Sequence, residues 1–399
     1  MPITNTASRY GSVAKGFHWL TALLILTVVP LGIFAHDAPF ATDAELTRKA
    51  LLFSLHKTFG VAIFFTALAR ILWALTQTKP AGLHPDRKAE TFLAETVHWL
   101  LYASLVLVPL TGWIHHAAST GFAPIFWPFG QSLPFVPKNE AVSDTFSTLH
   151  FLLERVMVFS ILLHVAGALK HHFVDKDITL RRMWFGNVIG GAARDTRHTL
   201  TPLIGAAGVY AIALGIGAAM GFFAQNNDAP ARAALGEVAS DWTVQDGTLS
   251  ITVTQFGRPI TGSFTDWTAA IRFDETALET AGDVTATIAI GSLTLGSVTD
   301  QAMGADFFDA PTFPTASFTA PIKVDGESYR ASGTLALKGA EVPVTLDFTL
   351  GIDGNTATMA GRGILDRRAF AIGDNMPEES NLGFAVDVAI ALTATRNTQ

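Results

Sequence analysis

The sequence contains no cysteine among its 399 residues, and only 15% of them are charged. The lack of thiols excludes disulfides, iron–sulfur clusters, thiol catalysis and covalent attachment of haem through a C-x-x-C-H motif. Histidine, which occurs 12 times, is therefore the main strong metal ligand that the chain offers.

Charge and hydrophobicity are unevenly distributed. Up to Asp228, 17 basic residues stand against 13 acidic ones, whereas the rest of the chain carries 10 and 21, so the net charges are +4 and −11. Long apolar runs are almost confined to the first part, and short alternating segments fill the second. A chain of this length is expected to have two or more domains. The acidic second half argues against nucleic acid as a partner.

Five apolar segments are long enough to span a lipid bilayer, which takes about 20 residues. They are 17–35, 50–76, 92–115, 145–171 and 199–224. The first contains His18 and Trp19 and lacks a convincing cleavage site, so we expect a retained helix rather than a signal peptide. Basic residues precede span 1 and fill the loops after spans 2 and 4. The positive-inside rule therefore predicts a multi-pass membrane protein with a cytoplasmic N-terminus. Five spans deliver the C-terminal domain to the opposite side, which is the periplasm if the membrane is a bacterial inner membrane.

The fourth span carries two histidines within its apolar run. His150 and His164 are separated by almost four helical turns, or about 21 Å, so both imidazoles point to nearly the same side. A histidine inside a membrane helix is costly unless something binds it. Two stacked metal centres are therefore predicted.

Depth in the membrane pairs these histidines with others, because two ligands of one iron must lie at the same level. His56 and His150 are both expected near the periplasmic side, and we call them the outer pair. His18 and His164 are expected near the cytoplasmic side, and we call them the inner pair. Each pair would bind one haem b through its iron. Satisfied core histidines and an intramembrane proton relay are the alternatives.

Other polar residues in the spans fit this scheme. His98 on span 3 competes with His18 as an inner ligand, or hydrogen-bonds a quinone or a propionate. Arg70 lies at the depth of the inner pair, where a haem propionate would neutralise it. Arg155 and Lys57 are predicted to serve the outer haem similarly, with snorkelling to the headgroups as the alternative for Lys57.

The remaining segments of the first half receive less specific predictions. Span 5 is rich in Gly and Ala, including Gly217 and Gly221, so we expect a tether for the following domain, with a homodimer interface as the alternative. Loop 116–144 holds Trp, Phe and Pro and is predicted to be an interfacial lid over the outer pair. The other histidines are predicted to be interfacial or solvated: His36, His84, His115, His116, His171, His172 and His198.

From Asp241 onward the pattern has a period of two, which is typical of strands. About eight such segments, several separated by the turn residues Asp246-Gly247, Asp325-Gly326 and Asp353-Gly354, predict an antiparallel barrel or sandwich. One helical interruption is expected at 300–314. A barrel of about eight strands can enclose a lipid-sized cavity. Its phenylalanines favour an apolar interior over a polar one.

The first half resembles the bacterial cytochrome b561 family, the four-helix di-haem membrane cytochromes. The resemblance covers about residues 8–185, through GFHWLTALLIL, LHKTFG, TVHWLLY, GFAPIFWPFG and HVAGALKHHFVDKDITLRRM. It implies an all-α transmembrane bundle that exchanges electrons with ubiquinone, and for some members oxidation of superoxide at the periplasmic face. The axial ligands that it implies are His18, His56, His150 and His164.

The second half resembles the YceI-like family of lipocalin-like barrels, which bind polyisoprenoids including ubiquinone. The motifs are DWTVQDGTLSITVTQFG, ITGSFTDWTAAIRFD, DFFDAPTFPTASF, GTLALKGAEVPVTLDF and ILDRRAFAIG. Arg367 matches the family's arginine. Gln255 stands where the family usually has histidine, and Thr299 precedes Asp300 where an arginine is common.

We therefore predict three parts: a di-haem domain at 1–185, a fifth membrane helix and linker at 186–228, and a barrel at 229–399. The chain would be a haem-dependent membrane oxidoreductase that transfers electrons between the periplasmic side, from superoxide or a protein donor, and the ubiquinone pool. The barrel would bind an isoprenoid quinone or polyisoprenoid. The alternatives are a lipid carrier or sensor with structural haem, and a haem anchor subunit of a separate dehydrogenase.

Overall fold

The computed structural model describes residues 2–84, 86–119, 121, 123–186, 188, 199–224, 234–236 and 238–397. They form two compact units. The helical unit comprises Met1–Ala38, Leu51–Ala118 and Pro124–Gln225, and the β unit comprises Pro39–Ala50, Ser119–Ala123 and Asn226–Gln399. Residues 189–198, which include Arg194, Arg197 and His198, lie outside the described residues, as do residues 225–233 at the end of the predicted linker and the beginning of the predicted barrel.

Within the described part of the chain, five helices are long and apolar enough to cross a membrane. They are α1 (Ser12–Asp37), α2 (Asp43–Leu75), α3 (Lys88–Ala118), α4 (Glu140–Phe173) and α6 (Thr201–Ala219), with the short α5 (Thr179–Met183) between the last two. The five predicted spans are confirmed, and the protein is a multi-pass membrane protein. Four of the five helices extend beyond the apolar segments into polar flanks, where water can satisfy the ends.

Small and aliphatic side chains hold the helical unit together. Val28, Ile63 and Leu105 bring α1, α2 and α3 into one buried cluster. Helix α6 lies against α3 and α4: the Tyr210 hydroxyl donates to Leu100 O at 2.9 Å, and a Cβ on Gly217 would lie 2.5 Å from Leu152 Cδ1. The small residue therefore serves close packing inside the chain, as glycines in membrane helices commonly do.

The β unit contains a ten-stranded antiparallel sheet with the order β3-β4-β6-β7-β8-β9-β10-β1-β2-β5. Its strands are β1 (Trp242–Gln255), β2 (Arg258–Phe264), β3 (Trp267–Phe273), β4 (Thr280–Ala289), β5 (Leu293–Thr294), β6 (Thr315–Asp325), β7 (Ser328–Leu337), β8 (Ala340–Asp353), β9 (Thr356–Asp366) and β10 (Leu382–Arg396). The prediction of an antiparallel barrel is confirmed in class, with ten strands rather than about eight. Alternation puts one face of each strand on the core.

Two turn predictions are confirmed and one is wrong. Gly326 (φ 66°) and Gly354 (φ 58°) take left-handed conformations in tight turns between β6 and β7 and between β8 and β9. Asp246-Gly247 instead lies inside β1, next to a break in register with β10. Gly247 is needed there for clearance, because a Cβ would lie 2.7 Å from Trp267 Cζ2.

The helical interruption is shorter than predicted. Helix α7 covers Thr299–Met303 only, and backbone hydrogen bonds of turns follow it up to Phe313. Pro311 and Pro314 cannot continue a helix, which explains the difference.

Candidate functional site

The structure brings the predicted histidines of each pair close together within the helical unit. The ring centroids of His56 and His150 are 6.3 Å apart, and those of His18 and His164 are 6.1 Å apart. An iron gripped by two opposed imidazoles would separate their centroids by roughly 6 Å, since each metal–nitrogen bond is about 2 Å long and each ring centre lies about 1 Å behind its nitrogen. Both separations fit a bis-histidine iron.

Backbone carbonyls orient the outer pair. His56 Nδ1 lies 2.9 Å from Val28 O on α1, and His150 Nδ1 lies 2.8 Å from Val108 O on α3. Because a carbonyl oxygen only accepts, each Nδ1 must carry the proton, which leaves the Nε2 lone pair of each ring available to a metal. This is the usual support of a histidine ligand.

Two glycines make room for the same rings. A Cβ on Gly32 would lie 2.8 Å from Cε1 of His56, and one on Gly112 would lie 2.9 Å from Nδ1 of His150. Real Cβ atoms do not approach ring atoms so closely, so both positions require the missing side chain. Each glycine lies one helical turn after the carbonyl that holds the ring, on α1 and on α3. The same local pattern, a carbonyl that holds the ring and a glycine one turn later, therefore positions each imidazole of the outer pair.

The inner pair has a nearby competitor. The His98 ring contacts His164 edge-on, with centroids 5.1 Å apart, and His98 Nδ1 pairs with Ala94 O of its own helix at 2.6 Å. A separation of 5.1 Å is too short for an iron between the two rings, whereas that of His18 and His164 is suitable. The geometry favours His18 over His98 as the partner of His164.

Residues after α4 cover the inner pair. Lys15, only 1% exposed, donates from Nζ to Trp184 O at 2.8 Å and to Gly186 O at 3.0 Å. Trp19, which packs edge-on against His18, donates to Met183 O at 2.8 Å. These contacts hold the segment after α5 against the start of α1. Lys15 therefore stabilises the packing of this segment, in addition to contributing a positive charge to the pattern that predicts a cytoplasmic N-terminus.

The three cations assigned to the haems occupy different surroundings. Arg70 is half-buried with its Cζ 5.2 Å from the Tyr102 ring centroid, and no described carboxylate forms an ion pair with it. Lys57 is 6% exposed, so it is buried rather than extended to a headgroup region. The Arg155 side chain is 66% exposed and lies against Phe151 and Glu154. The structure does not turn it toward His150, so its haem role stays a prediction.

Part of the predicted lid packs next to the outer pair. Phe126 N donates to the hydroxyl of Thr58, two residues after His56, at 3.0 Å. Phe129 stacks on Phe65 with an interplanar angle of 9°. Trp113 Nε1 on α3 donates to Gly130 O at 2.9 Å. This section of loop 116–144 therefore covers α2 and α3 at the level of the outer pair.

Two histidines that were predicted to be solvated form a polar cluster instead. Asp177 Oδ2 lies 2.9 Å from His84 Nε2 and 2.7 Å from His171 Nδ1, and the two imidazoles stack 5.9 Å apart. Burial alone would raise the pKa of Asp177, but hydrogen bonds from Thr179 and both histidines hold it well below its ordinary value. The cluster ties the loop after α2 to the segment after α4.

The β unit encloses an apolar cavity of about 230 Å³. Its walls come from most strands, from α7 and from Leu46. A second apolar cavity of about 110 Å³ shares five lining residues with it: Trp267, Ala286, Phe318, Leu346 and Ile390. An apolar path therefore follows the inside of the sheet, as a lipid chain requires.

Arg367, which matches an arginine of the family that the second half resembles, has a structural role. It is 4% exposed, and its guanidinium donates to five backbone carbonyls at 2.5 to 3.1 Å: those of Gly383, Ile372, Gly373, Met376 and Leu382. A guanidinium has five N–H donors. All five are used, so Arg367 fixes the connection before β10 and has none left for a ligand.

The sequence predicted which four histidines lie close together in pairs, but not the groups that position the outer pair. The signal was present as a repeated pattern, since VVPLG at 28–32 and VPLTG at 108–112 each place a glycine four residues after a valine. Only the structure shows that the valine carbonyl and the glycine face an imidazole of another helix.

The two halves of the chain match different families. The profile of the prokaryotic cytochrome b561 family matches residues 9–186, and that of the YceI-like domain matches residues 242–394. Cytochrome b561 homolog 2 of Escherichia coli (strain K12) is 30% identical over 183 residues, which are 46% of this chain and 95% of that protein. Probable superoxide oxidase CybB of Yersinia pestis is 29% identical over 178 residues, or 44% and 95%.

A solved structure resembles the second half. Burkholderia cenocepacia BcnA is 31% identical, and the alignment covers 37% of this chain and 96% of BcnA with a TM-score of 0.35. The two profile matches and the two relatives confirm both resemblances seen in the sequence.

Proposed function

The chain belongs to the prokaryotic cytochrome b561 family, and we propose that it transfers electrons between the periplasmic side of a bacterial inner membrane and the ubiquinone pool. Two haems b would be held by the outer pair, His56 and His150, and by the inner pair, His18 and His164. The observation that carries the proposal is the pair of ring separations, 6.3 and 6.1 Å, both suited to an iron between opposed imidazoles.

Haem, when bound, supplies a one-electron couple; the protein supplies ligands and surroundings. The carbonyls of Val28 and Val108 fix the tautomer of the outer ligands, and hydrogen bonding to Nδ1 raises their basicity. His150 and His164 lie about 21 Å apart along α4, which sets the spacing of the two pairs. Electrons entering at the outer pair would leave from the inner pair to ubiquinone.

Arg70 is the best candidate for an anion at the inner pair. It is half-buried without an acidic partner among the described residues, so a carboxylate from outside the chain would neutralise it. A haem propionate is such a group. His98 lies beside His164, and because its Nδ1 proton is donated to Ala94 O, its Nε2 would accept a hydrogen bond from a quinol hydroxyl or a protonated propionate.

Superoxide is our proposed electron donor at the outer pair. The relative from Yersinia pestis carries the name of a superoxide oxidase, and the buried Lys57 adds a cationic group next to His56. A cation near a cleft raises the local concentration of an anion. Oxidation of superoxide to dioxygen releases one electron, so two such events, together with two protons taken up from water, would reduce one ubiquinone to ubiquinol.

The topology and division of the chain complete the proposal. The charge pattern supports a cytoplasmic N-terminus, a di-haem domain at 1–185, a fifth helix and linker at 186–228, and a periplasmic barrel at 229–399. The apolar cavity supports binding of an isoprenoid quinone or polyisoprenoid in the barrel. Tethering would raise the effective concentration of that lipid at the membrane domain.

A reduction experiment tests electron transfer. Purified protein in liposomes with ubiquinone is mixed with a superoxide source, while the haem spectrum and ubiquinol formation are followed. We expect haem reduction followed by ubiquinol, both abolished by superoxide dismutase. Haem that superoxide does not reduce would refute this donor.

The second candidate is a lipid carrier in which haem is structural, and the two neighbouring apolar cavities favour it. In that case a tightly bound lipid would co-purify, while neither superoxide nor ubiquinol would reduce the haem.

A further inference from the structure

A segment outside the sheet closes one end of the larger cavity. The segment Pro39–Ala50 includes the beginning of α2 and belongs to the β unit. Its Leu46 is 2% exposed and lines the cavity. The side chains that pack against Leu46 are those of Phe256, Phe307, Met376 and Leu382. Because Phe256 directly follows β1 and Leu382 begins β10, Leu46 fills the end of the cavity where β1 ends.

The opposite end is closed by the strands themselves. Trp242, Ala357 and Ala394 form a buried cluster there and line the second cavity. They lie in β1, β9 and β10, and Ala394 pairs with Ala357 in the ladder between β9 and β10. Opening this end would break ladder hydrogen bonds and leave backbone groups without partners. A ligand therefore has no route at this end that keeps the sheet intact.

Side chains, rather than a ladder, attach the segment that carries Leu46. Four hydrogen bonds among the described residues join it to the connection before β10: Asp43 accepts from Glu378 N at 2.9 Å and from Asn381 Nδ2 at 3.0 Å, Asn375 Nδ2 donates to Ala41 O at 3.1 Å, and Thr47 Oγ1 donates to Asn381 Oδ1 at 3.4 Å. All but the bond between Asp43 and Asn381 are exposed. Water can replace exposed hydrogen bonds, so each adds little to the attachment.

The surface that receives Leu46 is held more firmly than the segment itself. Arg367 donates to four carbonyls of residues 372–382 and so fixes that connection to the fold. Of residues 39–50, all of which the structure describes, only Leu46 and Ala50 are buried. Segments with few buried side chains and exposed hydrogen bonds open at a lower free energy than the core. The segment Pro39–Ala50 is therefore the partner that moves.

The volume enclosed behind Leu46 is small for a lipid. The larger cavity measures about 230 Å³, whereas small-molecule sites usually measure about 300–1,000 Å³. The Leu46 side chain is one boundary of that volume, so moving it outward lengthens the cavity at this end. A long apolar chain can therefore pass this end only if the segment moves.

We propose that Pro39–Ala50 is the lid of the barrel: Leu46 closes the cavity, and an isoprenoid lipid enters and leaves by displacing it. The inference rests on the lipid-binding role proposed above, to which it adds the route and the closing residue. It does not depend on electron transfer through the histidine pairs.

A cross-link that fixes the lid tests the inference, and the lack of cysteine makes an introduced pair unique. Thr47→Cys with Asn381→Cys replaces two side chains whose oxygens lie 3.4 Å apart. The full-length protein in detergent is loaded with tritiated geranylgeraniol, and the rate at which excess unlabelled lipid replaces it is measured. A short thiol-reactive cross-linker with a reducible bond should slow this exchange about tenfold or more, because the lid can no longer open, and reduction should restore the rate.

A second cysteine pair is the matched control. Thr252→Cys with Thr261→Cys joins β1 and β2 at two exposed hydroxyls that lie 2.9 Å apart. The same cross-linker there connects two residues that already pair in the sheet. Exchange of geranylgeraniol should be the same before and after this cross-link.

Leu46→Ala tests the closing side chain. A buried leucine stabilises the closed lid more than an alanine does, so exchange should be about tenfold faster in the variant. Leu46→Val, a smaller change, repeats the measurement should the alanine variant not fold. Leu278→Ala, at a side chain of the β unit that is 89% exposed, is the control and should leave the rate unchanged.

The outcomes separate the lid from the lipid role. Every substitution and cross-link lies in the β unit, so lipid adsorbed to the helical unit is the same in all samples. Failure of the unaltered protein to take up geranylgeraniol would overturn the lipid role and the lid together. Uptake followed by exchange that neither the lid cross-link nor Leu46→Ala alters would overturn the lid and leave the lipid role standing.

Discussion

Gly32 and His56 approach so closely that a methyl group on the glycine would lie 2.8 Å from Cε1 of the imidazole. Gly112 stands in the same relation to His150. In each case the neighbouring helix also provides the carbonyl that holds Nδ1 of that ring. The outer pair therefore depends on two small residues that make no bond of their own.

Gly32→Ala and Gly112→Ala should each displace one outer imidazole, because the added methyl group overlaps the ring. We expect haem affinity at the outer pair to fall about tenfold or more, while the inner haem is retained. Haem content and the visible spectrum of purified protein measure this. Gly215→Ala, on α6 with open space at its Cβ position, is the control. Full haem content in both alanine variants would contradict the close approach.

His18→Ala should remove the inner haem, and His98→Ala should retain it. The reason is the ring separation, which is 6.1 Å from His18 to His164 but only 5.1 Å from His98 to His164. Haem quantification with low-temperature spectra distinguishes the two variants. Loss of the inner haem from His98→Ala alone would reverse the assignment.

Arg367→Met should destabilise the β unit by about 3 kcal/mol or more, since five buried carbonyls would lose their charged donor. Thermal unfolding followed by circular dichroism at a β-sheet wavelength measures the effect. Arg368→Ala is the matched control, because that side chain is 54% exposed, and among the described residues it donates to Asp366 and lies over the Phe384 ring. Equal unfolding temperatures of the two variants would show that the hydrogen bonds of Arg367 do not stabilise the β unit.

The Asp177 cluster makes stability depend on pH. The pKa of Asp177 is lowered in the folded protein, so the unfolded chain binds more protons, and stability rises with pH. The contribution is fully present above the ordinary aspartate pKa of about 4 and is lost as the pH falls below it. Asp177→Asn should therefore cost about 1 kcal/mol at pH 7 and less as the pH drops through 4.

Thermal unfolding of the wild type and Asp177→Asn at several pH values checks this prediction. The exposed Asp144→Asn provides the control. A difference between wild type and Asp177→Asn that stays constant from pH 7 to pH 3 would argue against the lowered pKa.

Much of the architecture was predictable, because the length of an apolar segment indicates a membrane span and an apolar period of two indicates a strand. The pairing of His56 with His150, and of His18 with His164, followed from depth alone, since helical rise converts sequence position into height. Ten strands replaced about eight because two of the alternating segments each contain two strands, β2 with β3 and β4 with the two-residue β5.

What could not be predicted depends on contacts between distant segments. The roles of Gly32 and Gly112 arise from rings on other helices, and those of His84 and His171 arise from Asp177 beyond the end of α4. Asp-Gly is a common turn sequence, but Asp246 and Gly247 pair with β10 and therefore belong to strand β1. Tertiary contacts decided each of these cases.

Haem analysis of the purified protein and of His150→Ala tests the central claim most directly. The account predicts two haems b per chain in the unaltered protein, and one in the variant, with the inner spectrum intact. One haem or none in the unaltered protein, or two in His150→Ala, would contradict it.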